Sequence, residues 1–269
     1  MRRRAVSGCG LVIVAAMLIA ACETVPISGR SQLLLFSEQD VARLADQHHV
    51  KFMAEAQQKG AIVTAADPAV GRDVAMVNTV GRRIIDAAGL ADRHRWEIIV
   101  LRESTANASV MPNGKIVVHT GLLPVTRTEP GLAAVLGHEV AHVVARHSAE
   151  RLSQTMLAQT GVQVANAATA AFDPRYQALT GAALGLGLQY GVLMPYSRAQ
   201  ESEADRLGLI FMAKAGYDPA EAIALWERME SAGGARGPEF LSTHPNPATR
   251  RAQLREWLPE AQQHYQPRR

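Results

Sequence analysis

His138-Glu139-Val140-Ala141-His142 is the part of this 269-residue chain whose residue types and spacing bear most directly on chemistry. Histidines four apart on an α-helix stand about 40° apart in rotation and one turn apart along the axis, so both imidazoles address one point. Glu139 projects beside them, within reach of a water at a metal held there. The flanking residues Leu132, Ala133, Ala134, Val135, Leu136, Val140, Ala141, Val143 and Val144 are apolar, which predicts burial of the three polar groups. Two imidazoles and a carboxylate buried without partners are costly, and a metal ion removes that cost.

A catalytic centre of this kind takes three protein ligands and keeps one position open. The glycine and third histidine of the metzincin pattern are missing, with Ala145 and Ser148 in their places. His147 lies roughly 140° round a continuous helix from His142, which suits a surface position or a group behind a ligand. Glu201 and Asp205 are four apart and share one helical face. One of them can bind the metal while the other accepts the free N–H of a ligating histidine. Glu203 projects away from that face and reads as a solvated charge. Two histidines, a carboxylate and an open position favour zinc, one ion per chain.

Helices must carry most of these groups. Ser37 followed by Glu38 and Asp40 predicts a helix to about Lys59, and Pro68 opens another over Asp67–Ala88. Thr128 caps a zinc-binding helix that starts at Glu129-Pro130 and is predicted to continue to about Gln154. Further helices are expected from Arg198 to about Ala215, over Asp218–Ser231 and over Pro247–Gln262. Trp96–Leu101, Ala108–Pro112 and Lys115–Thr120 read as strands, the last two joined in a hairpin at Asn113-Gly114. The fold class is α+β, mostly helical, with a small sheet or hairpin beside the zinc-binding helix. Ala108, Ser109, Val110 and Met111 form a candidate edge strand for an extended substrate. The uncharged stretch Tyr176–Tyr196 is rich in glycine, which favours a small-residue helix or flap over a membrane span.

Of the residues, 48% are hydrophobic and 20% charged, a composition that supports a packed core. The net charge of +3 comes from Arg2, Arg3 and Arg4; the other 25 basic residues face 25 acidic ones, which argues against nucleic acid as a partner. Those arginines, the apolar run Leu11–Leu18 and Ile19-Ala20-Ala21-Cys22 have the layout of an export signal. The tetrapeptide resembles a bacterial lipobox, which implies cleavage before Cys22 and lipidation of that residue. Cys9 and Cys22 are the two cysteines, so the mature chain keeps no thiol for a disulfide or a thiolate zinc site. With Glu23 following, the expected location is the bacterial envelope, lipid-anchored in the outer membrane and facing the periplasm.

The sequence also resembles a known family, the HtpX/BepA/LoiP-like zinc metallopeptidases of the gluzincin type, and among them the periplasmic lipoprotein members. The likeness runs from about Val25 to Arg255. It is carried by Pro26, Gly29-Arg30 and Gln32-Leu33, by Asn107-Ala108 and Pro112-Asn113-Gly114, by Thr120-Gly121-Leu122 and the His138–His142 helix, and by Ser197-Arg198, Glu201, Ala204-Asp205 and Thr243-His244-Pro245. The resemblance implies Glu201 as third zinc ligand beside His138 and His142, Asp205 as the acceptor behind a ligating histidine, and Glu139 as general base. His244 matches a histidine that approaches the metal in some relatives, as a catalytic group or as a reversible latch; Arg198 or His244 would stabilise the oxyanion. Ser109-Val110-Met111 and Asn113 depart from the bulkier residues and the glycine common in relatives, which bears on the substrate edge. The implied domains are a lipoprotein signal over 1–21, an extended anchor segment over 22–36 and a single metallopeptidase domain over 37–269. The implied function is zinc-dependent hydrolysis of misfolded or unassembled envelope proteins, with polypeptides, the membrane and outer-membrane assembly machinery as partners. The rival reading is a latched or non-proteolytic, chaperone-like lipoprotein.

Overall fold

The computed structural model of the chain describes residues 22–170, 197–231, 239–244 and 249–267. The signal segment, the uncharged stretch expected over 176–196 and Pro245 lie outside the described residues. Among those described, no helix is long and apolar enough to cross a membrane. Contacts divide the chain into two units, one of Met1–Ser37 with Ala149–Leu193 and one of Glu38–Ser148 with Met194–Arg269.

The lead-in is a ribbon in which β1 (Cys22–Thr24) pairs antiparallel with β2 (Ser31–Leu33). Helix α1 (Glu38–Gln58) starts where the acidic residues Glu38 and Asp40 meet the positive end of the helix dipole. After β3 (Ile62–Val63) comes α2 (Gly71–Ala87), which starts four residues later than expected. The cause is Asp67, whose Oδ1 accepts the N–H groups of Ala69 and Val70 at 2.9 and 3.2 Å and closes a turn first. Strands β4 (Glu97–Leu101), β5 (Ala108–Met111) and β6 (Lys115–His119) follow. The sheet order is β3-β4-β6-β5, with β4 and β6 parallel and the other pairs antiparallel, so β5 has a free edge. The β5–β6 hairpin turns at Gly114, whose φ of 82° is left-handed and whose N–H bonds Met111 O at 3.0 Å.

A short 3-10 turn at Thr120–Leu122 and α3 (Leu123–Thr126) lead into α4 (Glu129–Val144). Thr128 Oγ1 caps α4 by accepting the Gly131 N–H at 3.1 Å. The helix expected to reach Gln154 breaks instead at Ala145-Arg146. There Ala145 N–H bonds Ala141 O, Arg146 N–H reaches back only to Val143 O, and Arg146 takes a left-handed φ of 55°. The chain restarts as α5 (His147–Ala170). In the unit of the lead-in, Arg30 grips Glu150 of α5 through two bonds of 2.7 and 2.8 Å, and Ser153 Oγ accepts the Leu35 N–H at 2.9 Å.

Helix α6 (Arg198–Lys214) opens on a capping box, with Ser197 Oγ accepting the Gln200 N–H and Gln200 Oε1 accepting the Ser197 N–H. It is followed by α7 (Glu221–Ser231), α8 (Glu239–Thr243) and α9 (Arg250–Gln262). The short α8 was not expected from the sequence.

Helix α4 is buried along its whole length from Gly131 to His142, so it runs through the core of its unit. Leu132, Leu136 and Val140 pack in one cluster with Val77, Val80 and Ile84 of α2, Ile116 and Val118 of β6, Leu209 and Met212 of α6, and Leu225 and Met229 of α7. Each such side chain contributes about 1.5–3 kcal/mol on burial. The crossing of α4 and α6 is backbone on backbone. A Cβ on Gly137 would lie 2.9 Å from Gly208 O, and one on Gly208 would lie 2.9 Å from the His138 nitrogen. Glu201, Asp205 and Gly208 recur along one face of α6. Close approach at Gly208 therefore brings both carboxylates against the histidines of α4.

Candidate metal centre

Four side chains from three helical segments converge. Among the described residues His138, His142, Glu201 and His244 form the one group able to hold a metal, with donor atoms all within 4.8 Å of one another. His138 Nε2 lies 3.1 Å from His142 Nε2 and 3.1 Å from His244 Nδ1. Glu201 faces all three imidazoles: Oε2 is 3.4 Å from His138 Nε2, and Oε1 is 3.5 Å from His142 Nε2 and 3.0 Å from His244 Nδ1. All four residues are buried.

Behind the donors stands a second layer of polar groups. Asp205 Oδ1 is 2.9 Å from His138 Nδ1. Arg250, 0% exposed, binds Asp205 through two bonds of 2.6 Å and reaches Glu201 Oε2 at 3.3 Å, while its guanidinium lies 3.5 Å over the Trp226 ring. On the other side His142 Nδ1 meets His147 Nδ1 at 2.7 Å, and His147 Nε2 meets Glu203 Oε2 at 2.9 Å. Phe240 stacks on the His244 ring at 4.5 Å.

Glu139 sits beside this cluster. His244 Nε2 comes within 3.2 Å of Glu139 Oε1, yet the approach is not aligned for a hydrogen bond, and Oε1 is buried without a hydrogen-bond partner among the described residues. The carboxylate accepts the backbone N–H of Val110 from β5. Burial raises the Glu139 pKa, with the neighbouring imidazoles of His244 and His138 opposing the rise. Burial presses the His138 imidazole down, but the carboxylates of Glu201 and Asp205 outweigh it and bring the value up to about 9. His142 is pushed well below its usual value, by burial first and then by the neighbouring His138. Burial works against the Glu201 carboxylate, and His138 with His244 holds it far below the ordinary range all the same.

This arrangement fits a zinc ion. Two donors bonded to zinc at about 2.0–2.1 Å in a tetrahedron lie about 3.3 Å apart, and these five donor contacts run from 3.0 to 3.5 Å in a set lying within 4.8 Å. The donor set of three imidazoles and one carboxylate, nitrogen and oxygen without sulfur, is of the kind that zinc takes. The unpartnered Oε1 of Glu139 is placed to accept a proton from a water at the centre.

The structure brings His138, His142, Glu201, Asp205, Glu139 and His244 together, His244 being the member that only the resemblance had placed there, and Ala108–Met111 forms a strand at the end of the sheet order. Two expectations change. Glu203 is not a solvated charge: it is 6% exposed and bonded to His147. Of the two places expected for His147 the structure has the one behind a ligand: it is 0% exposed, and the break at Ala145-Arg146 turns it onto His142. Arg198 is exposed at the first position of α6, and no contact with the cluster is seen among the described residues. The buried arginine at the centre is Arg250, which sequence reasoning passed over. Its signal was faint, an arginine six residues after His244 in a charged helix.

Residues 72–258 match the family described as Peptidase family M48. The chain belongs to peptidase family M48. The family uses zinc, the chain is a metalloendopeptidase, and the His138, His142, Glu201 and His244 cluster is able to bind a metal ion. The mitochondrial metalloendopeptidase OMA1 of Schizosaccharomyces pombe is 40% identical over 242 residues, covering 89% of this chain and 67% of that protein. OMA1 of Bos taurus is 34% identical and covers 89% of this chain and 46% of its own length. The beta-barrel assembly-enhancing protease of Escherichia coli is 28% identical over 186 residues, 66% of this chain and 37% of that one. The chain thus spans about half to two thirds of the OMA1 relatives it matches. These matches correct two expectations. Likeness to OMA1 exceeds that to the beta-barrel assembly-enhancing protease, and the mitochondrial names overturn the bacterial outer-membrane location. The physical source of that error is the leader, since an arginine-rich, acid-free start is common to export signals and organelle-targeting segments.

Proposed function

We propose that this chain hydrolyses internal peptide bonds of misfolded or unassembled polypeptides, as a zinc-dependent quality-control protease. The observation that carries the reading is the Glu139 carboxylate, with one buried oxygen free of hydrogen bonds, set between the metal donors and the open edge of β5. Val110 N–H points from that edge to Glu139, so a chain laid along β5 passes beside the base. An extended segment pairing with β5 offers backbone first and sequence second, which suits unfolded substrates. The name of the beta-barrel assembly-enhancing protease supports unassembled polypeptides as a substrate class.

His138, His142 and Glu201 would hold the ion, which when bound supplies Lewis acidity to polarise a carbonyl and acidify a water. Glu139, its pKa raised by burial, takes the proton from the attacking water and passes it to the leaving nitrogen. Asp205 and Arg250 keep His138 turned toward the centre. Glu139→Gln keeps one zinc per chain and cuts the cleavage of unfolded casein by about 10²–10⁴-fold. Casein cleavage at the parental rate in that variant would show the reading to be wrong.

His244 supports a latched resting state. Its Nδ1 lies at the fourth corner of the donor set, 3.0 Å from Glu201 and 3.1 Å from His138, where a water or substrate would have to sit. His244→Ala then increases basal proteolysis; an inactive variant assigns His244 to catalysis instead. Attachment to a membrane through acylated Cys22 is part of the same proposal, read from the mass of the N-terminal peptide. The thiol is exposed.

A further inference from the structure

The two histidines of α4 that face the centre are backed in different ways. His138 Nδ1 meets a carboxylate, Asp205, itself clamped by Arg250. His142 Nδ1 meets another imidazole, His147, at 2.7 Å, and the carboxylate Glu203 stands one step further back at 2.9 Å from His147 Nε2. An imidazole bonded to a carboxylate through Nε2 places its N–H there, because the ionised carboxylate can only accept. In its neutral form His147 then turns a lone pair on Nδ1 toward His142. Of the two nitrogens at 2.7 Å one must donate, so His142 carries its proton on Nδ1 and turns a lone pair on Nε2 to the metal donors. We propose that His147, held by Glu203, is a positioning residue that fixes His142 in the metal-ligating tautomer and orientation.

Three further observations support this. His147 and Glu203 are both buried, so water does not compete for these bonds. The helix break at Ala145-Arg146, with Arg146 at a strained φ of 55°, is the local device that places His147 on His142. Glu203 lies on α6, the helix that supplies Glu201, so a single element carries one ligand directly and supports another through His147.

The inference deepens the reading of the metal centre and rests on it; zinc affinity is measured without substrate, so loss of cleavage with intact affinity would count against the proteolytic reading alone. The experiment measures zinc dissociation by competition with a chromophoric chelator, beside the thermal unfolding of each metal-free variant. His147→Leu weakens zinc by about 10–100-fold, the effect usual for groups behind a ligand. His147→Asn, which returns an acceptor oxygen near the lost Nδ1, recovers most of that loss although its contact to Glu203 is gone. Glu203→Gln weakens zinc by about tenfold and serves if His147→Leu does not fold. Imidazole ¹⁵N shifts of the zinc-loaded parent show a protonated Nδ1 on His142. Affinities within twofold of the parent in His147→Leu, or in Glu203→Gln where the leucine variant does not fold, would overturn the proposal. Equal weakening by Leu and Asn, tracking only the metal-free unfolding temperature, would reduce His147 to a packing group and overturn it as well.

Discussion

Burial sets the chemistry of single residues at this centre. Glu139 has a raised pKa because it sits away from water. Replacing Arg250 by Met fills the space above Trp226 but takes two hydrogen bonds from buried Asp205 and leaves it His138 alone, a change that costs up to about 3–5 kcal/mol. Urea unfolding of the metal-free Arg250→Met variant reads that loss; a midpoint matching the parent would show that His138 alone is partner enough for Asp205. The donors and the base were legible in the sequence because their spacing repeats on a helical face: His138 with His142, and Glu201 with Asp205. Glu203 and Arg250 were not, and His147 only in part: rotation along a continuous helix leaves it between the surface and a place behind a ligand, and the break at Arg146 selects the second. Glu203 does leave the face of Glu201, but it turns to a buried imidazole, which no periodicity on α6 reveals. Arg250 comes from a distant segment and stands among other arginines, so nothing local marks it as buried.

Among the elements, the decisive contact is the crossing of α4 and α6. Gly208→Ala puts a methyl group 2.9 Å from the His138 nitrogen, and the helices must separate. Overpacking of that kind costs about 1–3 kcal/mol, and because Glu201 rides on α6 it also weakens zinc binding. Parallel unfolding and zinc titrations test this; a Gly208→Ala protein with parental stability and affinity would mean that the crossing has slack. A second link at this scale joins α6 to α9 through Arg206 and Glu260, paired at 2.8 and 2.9 Å. The Arg206 hydrogen bond holds the Glu260 carboxyl below its ordinary value. A depressed folded pKa adds stability above the unfolded value of about 4.5, and that stability disappears as the pH falls through the lowered pKa. With Glu260 36% exposed the pair is screened, and a double-mutant cycle on Arg206 and Glu260 at pH 7 gives about 0.2–1 kcal/mol, vanishing as the carboxylate is protonated on acidification. A coupling that grows on acidification would contradict the pairing. The β5–β6 hairpin and the start of α4 were legible because Asn113-Gly114 and Thr128-Glu129-Pro130 are local signals. The delayed starts of α2 and α7 come from side chains that cap turns, Asp67 and Asp218, before the helix begins.

For the molecule as a whole, the centre ties α4, α6 and the segment carrying His244 into one set of ligands, so metal and fold are linked. Zinc at 100 times its dissociation constant adds about 2.7 kcal/mol to stability. Chelation therefore lowers the unfolding temperature by several degrees, and added zinc restores it; an unfolding temperature indifferent to chelator would place the metal outside the fold. The family and the reaction were legible in the sequence because they depend on a handful of residues at fixed spacing. Location was not, since leaders for different membranes share the same arginine-rich, apolar composition.

The most direct measurement is cleavage of unfolded casein by the purified chain, run with zinc, with chelator, after zinc is returned, and beside Glu139→Gln with its metal content determined. A zinc endopeptidase working through Glu139 cleaves in the first and third conditions, and the Gln variant keeps its zinc while losing cleavage. Stoichiometric zinc with no cleavage by the parent or by His244→Ala, or equal cleavage by parent and Glu139→Gln, would contradict it.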